Sequence, residues 1–171
     1  MKRTYSRSHA NRGAGLEQLI DMTNKQYRNK GVALIDKVPN AWTVQRAGKK
    51  IISAFPQRKT GVDYVGVSHG KAIALEAKTT TNRTSFPLSM LQDHQIEFLQ
   101  QFEEQGGKSY CIIEFSKLGE IYIAPFGFLN VWIKQAQNGG RKSIPHSEFV
   151  EMCDLVKSDK GYVLHYLKHV G

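Results

Sequence analysis

Between residues 62 and 115 the apolar pattern changes period twice, from about two to about 3.6 and back. That switch confines the chain to a sheet flanked by helices. Residues 63–67 and 71–78 read as two strands joined at Ser68-His69-Gly70. Leu91, Phe98, Leu99 and Phe102 then share one side of a helix expected over residues 90–104, capped by Ser89 and stopped by Gly106-Gly107. Strands are expected over 109–115 and 121–124, and a helix over 128–137 closed by Gly139-Gly140. Upstream, Leu16, Leu19, Ile20, Thr23 and Tyr27 mark a helix over 15–29 that Gly31 ends, with a strand at 32–35. A short helix near 147–153 and a β-like piece near 162–167 complete an α/β chain. No Gly-x-Gly-x-x-Gly or Walker loop is present, so nucleotide binding has no support.

Charge narrows the partners. Lys plus Arg is 24 against 15 Asp plus Glu, a formal charge of +9 over 171 residues. A small domain with that surplus favours a polyanion, nucleic acid being the usual one because neutralised phosphates release counterions. Residues 1–13 carry Lys2, Arg3, Arg7 and Arg12 with no apolar stretch, which reads as a basic flexible arm and not a signal peptide. No run is long enough to span a membrane, so a cytoplasmic protein is expected. Two cysteines, Cys111 and Cys153, make no Cys-x-x-Cys pair and argue against a zinc ribbon or redox motif. In the segment about 38–60, β-prone patches around Trp42 and Ile51 flank Ala47-Gly48-Lys49. This reads either as a projecting basic hairpin or as a plain surface loop. Its cations Arg46, Lys49, Lys50, Arg58 and Lys59, together with Arg12, are the candidate DNA contacts, and Trp42 and Phe55 either stack on bases or pack within the hairpin.

Asp63 opens one strand and Glu76 lies 13 residues later, near the end of the next. Alternation puts Glu76 and Lys78 on one face and Ile73, Leu75 and Ala77 on the other. Pairing through the His69-Gly70 turn brings Asp63 to the Glu76 end. Two carboxylates can hold Mg²⁺ or Mn²⁺, hard cations that prefer oxygen, and the lysine can offset charge growing on a phosphate. The bland alternative is a turn aspartate beside an exposed Glu–Lys pair. Gln95 is by itself an ordinary exposed helix residue, His94 a structural histidine or a base, and His165 with His169 a metal pair only if they lie on a helix.

NRGAGLE at 11–17, the block GVDYVGVSHGKAIALEAKTTTNRTSFPLSMLQDHQIEFLQQFEEQGG from residue 61, and NGGRKSI at 138–144 resemble the RecU family of Holliday junction resolvases, members of the PD-(D/E)XK nuclease superfamily. The resemblance covers residues 11–150, and TSFPL and HQIE are far more selective than the carboxylate–lysine pattern. It implies a restriction-endonuclease-like core, a mixed β-sheet flanked by helices, with a projecting basic stalk at about 38–60 inserted in one nuclease domain over 14–171. It implies a Mg²⁺-dependent homodimer, Mn²⁺ substituting, that nicks four-way junction DNA symmetrically during recombination and repair, with a recombinase as candidate partner and no membrane. It assigns Asp63, Glu76 and Gln95 as metal ligands, Lys78 to the transition state, and Glu17 to the catalytic set. One position departs: the family's threonine two residues before the aspartate is Gly61 here, with Thr60 adjacent. The stalk is shorter than in cellular members, as suits a phage-encoded version. The rivals are a nuclease for other branched or duplex DNA and a non-catalytic DNA-binding protein of the same fold.

Overall fold

The computed structural model describes residues 14–39, 42–56 and 61–170. Helix α1 (Ala14–Asn29) is followed by strand β1 (Leu34–Lys37), the hairpin β2 (Trp42–Ala47) and β3 (Lys50–Pro56), and strands β4 (Tyr64–Ser68), β5 (Lys71–Thr80) and β6 (Ser85–Pro87). Helix α2 (Asp93–Glu104) leads to β7 (Lys108–Phe115) and β8 (Glu120–Pro125). Then come α3 (Phe126–Gln137), β9 (Ser143–Pro145), α4 (His146–Met152) and β10 (Asp154–Leu155). The main sheet runs β1-β4-β5-β7-β8-β10, with β5 and β7 parallel and the other pairs antiparallel. It is the sheet flanked by helices that the sequence pattern implied, with the mixed strand directions that the family resemblance implied.

Alternation along the central strands feeds two apolar layers. Ile73, Leu75, Tyr110 and Ile112 pack toward α1, against Leu16, Ile20 and Tyr27. Ala74, Cys111, Ile113 and Phe115 pack toward α2, α3 and α4, against Leu99, Phe126, Leu129 and Phe149. Both faces of β5 and β7 are thus covered, so a carboxylate on β5 is drawn into the interior. Gly66 is required where β1 meets β4: a Cβ there would lie 2.1 Å from the Leu34 carbonyl oxygen. That close approach carries the chain after β1 past Asp63, whose carbonyl accepts the Val38 N–H at 2.8 Å.

Three expected elements differ. The strand expected at 32–35 begins at Leu34, because Val32 and Gly31 donate to the carbonyls of Tyr27 and Arg28 and close the end of α1, with Gly31 at φ 67. Ser89 caps no helix. It sits in a 3-10 turn (Leu88–Met90), and α2 starts at Asp93 after Gln92. No strand forms over 162–167 among the described residues. There the Leu164, Val163 and Leu167 N–H groups donate to side chains of α1, namely Thr23, Gln26 and Tyr27. A helix has taken the hydrogen bonds that a strand neighbour would have offered, and the sixth strand of the sheet is β10.

The segment about 38–60 contains an antiparallel hairpin of its own, turning at Gly48 with φ 62 and irregular between Gln45 and Arg46. Arg46, Lys49 and Lys50 lie on it and are exposed. Arg12, Arg58, Lys59 and Thr60 lie outside the described residues.

Candidate active site

The β4–β5 register pairs Tyr64 with Leu75, so Asp63, one residue earlier, stands opposite Glu76. β4 begins only at Tyr64 while β5 runs on to Thr80, so among the described residues no strand pairs with that edge of β5 beyond Glu76. The two residues are tied both ways. The Asp63 N–H donates to Glu76 Oε2 at 3.2 Å, and the Ala77 N–H donates to Asp63 Oδ2 at 3.0 Å. Lys78, on the same face as Glu76, places Nζ 2.7 Å from Glu76 Oε1. The Gln95 side chain donates through Nε2 to the same oxygen at 2.5 Å. Asp63, Glu76, Lys78 and Gln95 therefore converge. The Glu76 side chain is 1% exposed and that of Lys78 16%.

Gln95 comes from the first turn of α2. Its Oε1 accepts the Gln92 N–H at 3.0 Å, one of the donors that a helix start leaves unsatisfied. One amide thus joins the helix terminus to the buried carboxylate. As it stands, the amide presents nitrogen to Glu76, and its oxygen is engaged at the cap.

Burial sets the electrostatics. Removal from water pushes the Glu76 carboxyl from its ordinary 4.5 up to about 7, Asp63 adds repulsion, and Lys78 pulls the other way. Cys111, beside Glu76 in the β5–β7 register, is fully buried and its thiol is held well above the usual range by that burial. It is inert filling and no nucleophile.

Glu17 is placed differently. It lies in the first turn of α1, bound to Lys37 at 2.5 Å, and makes no hydrogen bond to Asp63, Glu76 or Lys78. Its backbone carbonyl accepts from the Tyr64 hydroxyl, which also donates to Asp21. The hydrogen bond that Lys37 donates to Glu17 is the main reason that Lys37 holds its proton more tightly than usual, and Asp63 adds attraction. Lys37 is thus the residue that links Glu17 electrostatically to the site. Sequence reasoning missed it; the signal available was a cation ending the strand that passes Asp63. Gly61 has φ 100, and a Cβ there would touch the Phe98 ring at 3.5 Å. A β-branched threonine is strained in that conformation, so the family's residue does not fit this backbone.

The donor set suits a hard divalent cation. Two carboxylates stand together, and Asp63 Oδ1 accepts no hydrogen bond from a described residue. The other candidates lie elsewhere. His165 bonds the Tyr27 hydroxyl and packs on Tyr162, while His169 pairs with Asp154. Among the described residues no three His, Cys, Asp or Glu side chains form a metal cluster. His94 keeps Nε2 buried without a hydrogen-bond partner among the described residues.

The pattern of the RecU family, Recombination protein U, matches residues 11–171. The chain belongs to the RecU family. Its relatives include a Holliday junction resolvase RecU of Geobacillus sp. (strain WCH70), 38% identical over 85% of this chain and 76% of the relative. The Pediococcus pentosaceus protein of the same name is 36% identical over 95% of this chain and 84% of the relative. That of Listeria welshimeri is 34% identical over 99% and 87%. Among solved structures, the Holliday junction resolvase Hjc of Archaeoglobus fulgidus aligns at a TM-score of 0.49 with 12% identity, over 79% of this chain and 92% of Hjc. Within this RecU chain, two of the family-like segments that lie far apart in sequence meet. Ser85–Pro87 pairs with Ser143–Pro145 as β6 and β9.

Proposed function

We propose that this RecU chain is a Mg²⁺-dependent endonuclease that resolves Holliday junctions by paired, symmetric nicks, acting as a homodimer in the cytoplasm of a bacterial cell. The observation that carries the reading is the meeting of Asp63, Glu76 and Lys78 at the edge of β5. The name of the relatives supports the substrate. A protein that only bound DNA would gain nothing from a carboxylate kept 1% exposed and half-protonated near neutral pH, since burying such a group costs stability.

Asp63 and Glu76 would hold the cation, with Gln95 joining through Oε1 once its amide turns over and releases the Gln92 N–H. When bound, the cation offsets charge on the scissile phosphate and lowers the pKa of a coordinated water. Lys78 carries its charge where the phosphate must lie and stabilises the negative charge that grows there. The ion pair with buried Glu76 keeps the ammonium from swinging free, which preserves its aim. Glu17 acts at a distance, by holding Lys37 in place beside Asp63. Arg46, Lys49 and Lys50 on the hairpin, with Arg12, Arg58 and Lys59, meet the phosphates of the junction, and a recombinase is a candidate to deliver that substrate.

The test is one gel with a labelled four-way junction and a matched linear duplex, each with and without Mg²⁺. Junction cleavage that needs the metal supports the reading. Equal cutting of both DNAs would replace it with a general duplex nuclease, and no cutting of either would leave only a DNA-binding role.

A further inference from the structure

The hairpin cations and Lys78 leave much of the positive charge unassigned. Part of the remainder flanks the β6–β9 pair, Arg83 ahead of β6 and Arg141 with Lys142 ahead of β9 at the other end. Phe86 and Ile144 are in register and fully buried, which fixes the pair to the same apolar layer that backs Glu76 and Lys78. The chain reaches β6 directly from β5, so Arg83 stands five residues beyond Lys78. It reaches β9 from α3 through Gly139, at φ 84, and Gly140, where a Cβ would lie 2.6 Å from the Gln135 carbonyl oxygen. That tight turn presents Arg141 and Lys142.

Both arginines are held. Arg83 donates to the Lys117 carbonyl at 3.4 Å, and Arg141 Nε donates to Ser143 Oγ at 3.3 Å. The Lys142 carbonyl accepts the Leu88 N–H at 3.1 Å, and its side chain is exposed. Arg83, Arg141 and Lys142 are exposed and form no ion pair with a described residue. No Asp or Glu occurs in residues 81–89 or 138–146. Leu88, opposite Lys142, opens the 3-10 turn that leads to α2 and so to Gln95. Short chain runs therefore connect both ends of the pair to residues of the candidate site.

We propose that the β6–β9 pair is a phosphate-binding ledge on which Arg83, Arg141 and Lys142 hold the sugar–phosphate backbone of duplex DNA next to the cleavage point. The inference rests on the proposed nuclease function and adds to it a surface separate from the hairpin. The ligand is a run of phosphodiesters. Prearranged guanidinium groups suit such oxygens, because less side-chain freedom is lost on binding. Contacts of this kind set position and carry no base sequence. The ledge therefore grips any duplex arm alike, whereas selection of the branched shape belongs to the hairpin.

The experiment compares the full-length protein with the triple variant Arg83→Ala, Arg141→Ala, Lys142→Ala, on linear duplex and four-way junction over a salt series without divalent metal. The plot of log K against log[salt] should become shallower by about three in the variant, one for each phosphate no longer neutralised. Both DNAs should weaken by the same factor. An unchanged slope and affinity overturns the ledge, and so does a loss confined to the junction. If circular dichroism shows the triple variant unfolded, Arg141→Gln alone should lower the slope by about one, and an unchanged slope there likewise overturns the ledge. A wild-type protein that binds no DNA at all would sink the proposed function itself. Wild-type binding with an unaffected variant sinks the ledge alone.

Discussion

Replacing Glu76 with glutamine tests the buried carboxylate through folding, without recourse to cleavage. In the folded chain the carboxyl is pushed from 4.5 to about 7, first by burial and then by Asp63. The folded state thus holds a proton on Glu76 that the unfolded state has already released across that window. Stability from this group is greatest below pH 4.5, falls as pH rises toward about 7, and is level above it. The gap corresponds to on the order of 3 kcal/mol. Glu76→Gln removes the titration. It also brings a pH-independent cost of about 1–3 kcal/mol, since an amide cannot accept from both Asp63 N–H and Gln95 Nε2. Denaturant unfolding of both proteins from pH 4.5 to 8, in metal-free buffer, gives the difference directly. Contributions from histidines and from carboxylates away from the site cancel in that difference. The variant should start less stable than the wild type and gain on it by about 3 kcal/mol as pH rises. A difference that does not change with pH would show that Glu76 is not held in a costly charged state, and burial could then not be what tunes the site.

Lys78→Ala should slow junction cleavage by two or more orders of magnitude, in line with losing about 3 kcal/mol of transition-state charge stabilisation. Calorimetric Mn²⁺ affinity should hold or rise, and weaker metal uptake would place the lysine in the wrong role. Gln95→Leu should lower the melting temperature through an unsatisfied Gln92 N–H, at about 1 kcal/mol, and weaken metal binding; unchanged metal affinity would leave Gln95 as a helix cap only. The hairpin variant Arg46→Ala, Lys49→Ala, Lys50→Ala should lose junction affinity by a larger factor than duplex affinity in gel-shift titrations. Equal losses would reduce the hairpin to a nonspecific phosphate contact.

The sequence was informative wherever a local rule coincided with the tertiary outcome. The alternation of Ile73 to Lys78 requires Glu76 and Lys78 to share a face, and the short turn at His69-Gly70 requires Asp63 to come opposite Glu76. Both relations need only period and register. Gln95 was legible only through the family resemblance, because nothing about a glutamine in a helix signals that its amide will reach a buried carboxylate. The β6–β9 pair was invisible for a related reason. Three-residue strands carry almost no periodicity, and these two lie 58 residues apart in the chain, from Ser85 to Ser143. The tail at 162–167 is β-prone yet forms no strand, because α1 supplies Thr23, Gln26 and Tyr27 as hydrogen-bond partners, a relation that no local pattern carries. The link from Glu17 to Lys37 joins a helix to a strand 20 residues on, and only the packing of α1 across the sheet brings it about.

The most direct measurement maps nicks on a four-way junction whose strands are labelled one at a time, with Mg²⁺, for the wild type and Asp63→Asn. The wild type should leave paired nicks at symmetry-related positions in two opposing strands. The variant should leave none, yet still bind the junction with equal or higher affinity because it has lost a negative charge at the phosphate. Wild-type levels of nicking by Asp63→Asn, or unpaired cuts scattered over all four strands by the wild type, would contradict a paired, metal-dependent resolvase built on Asp63 and Glu76.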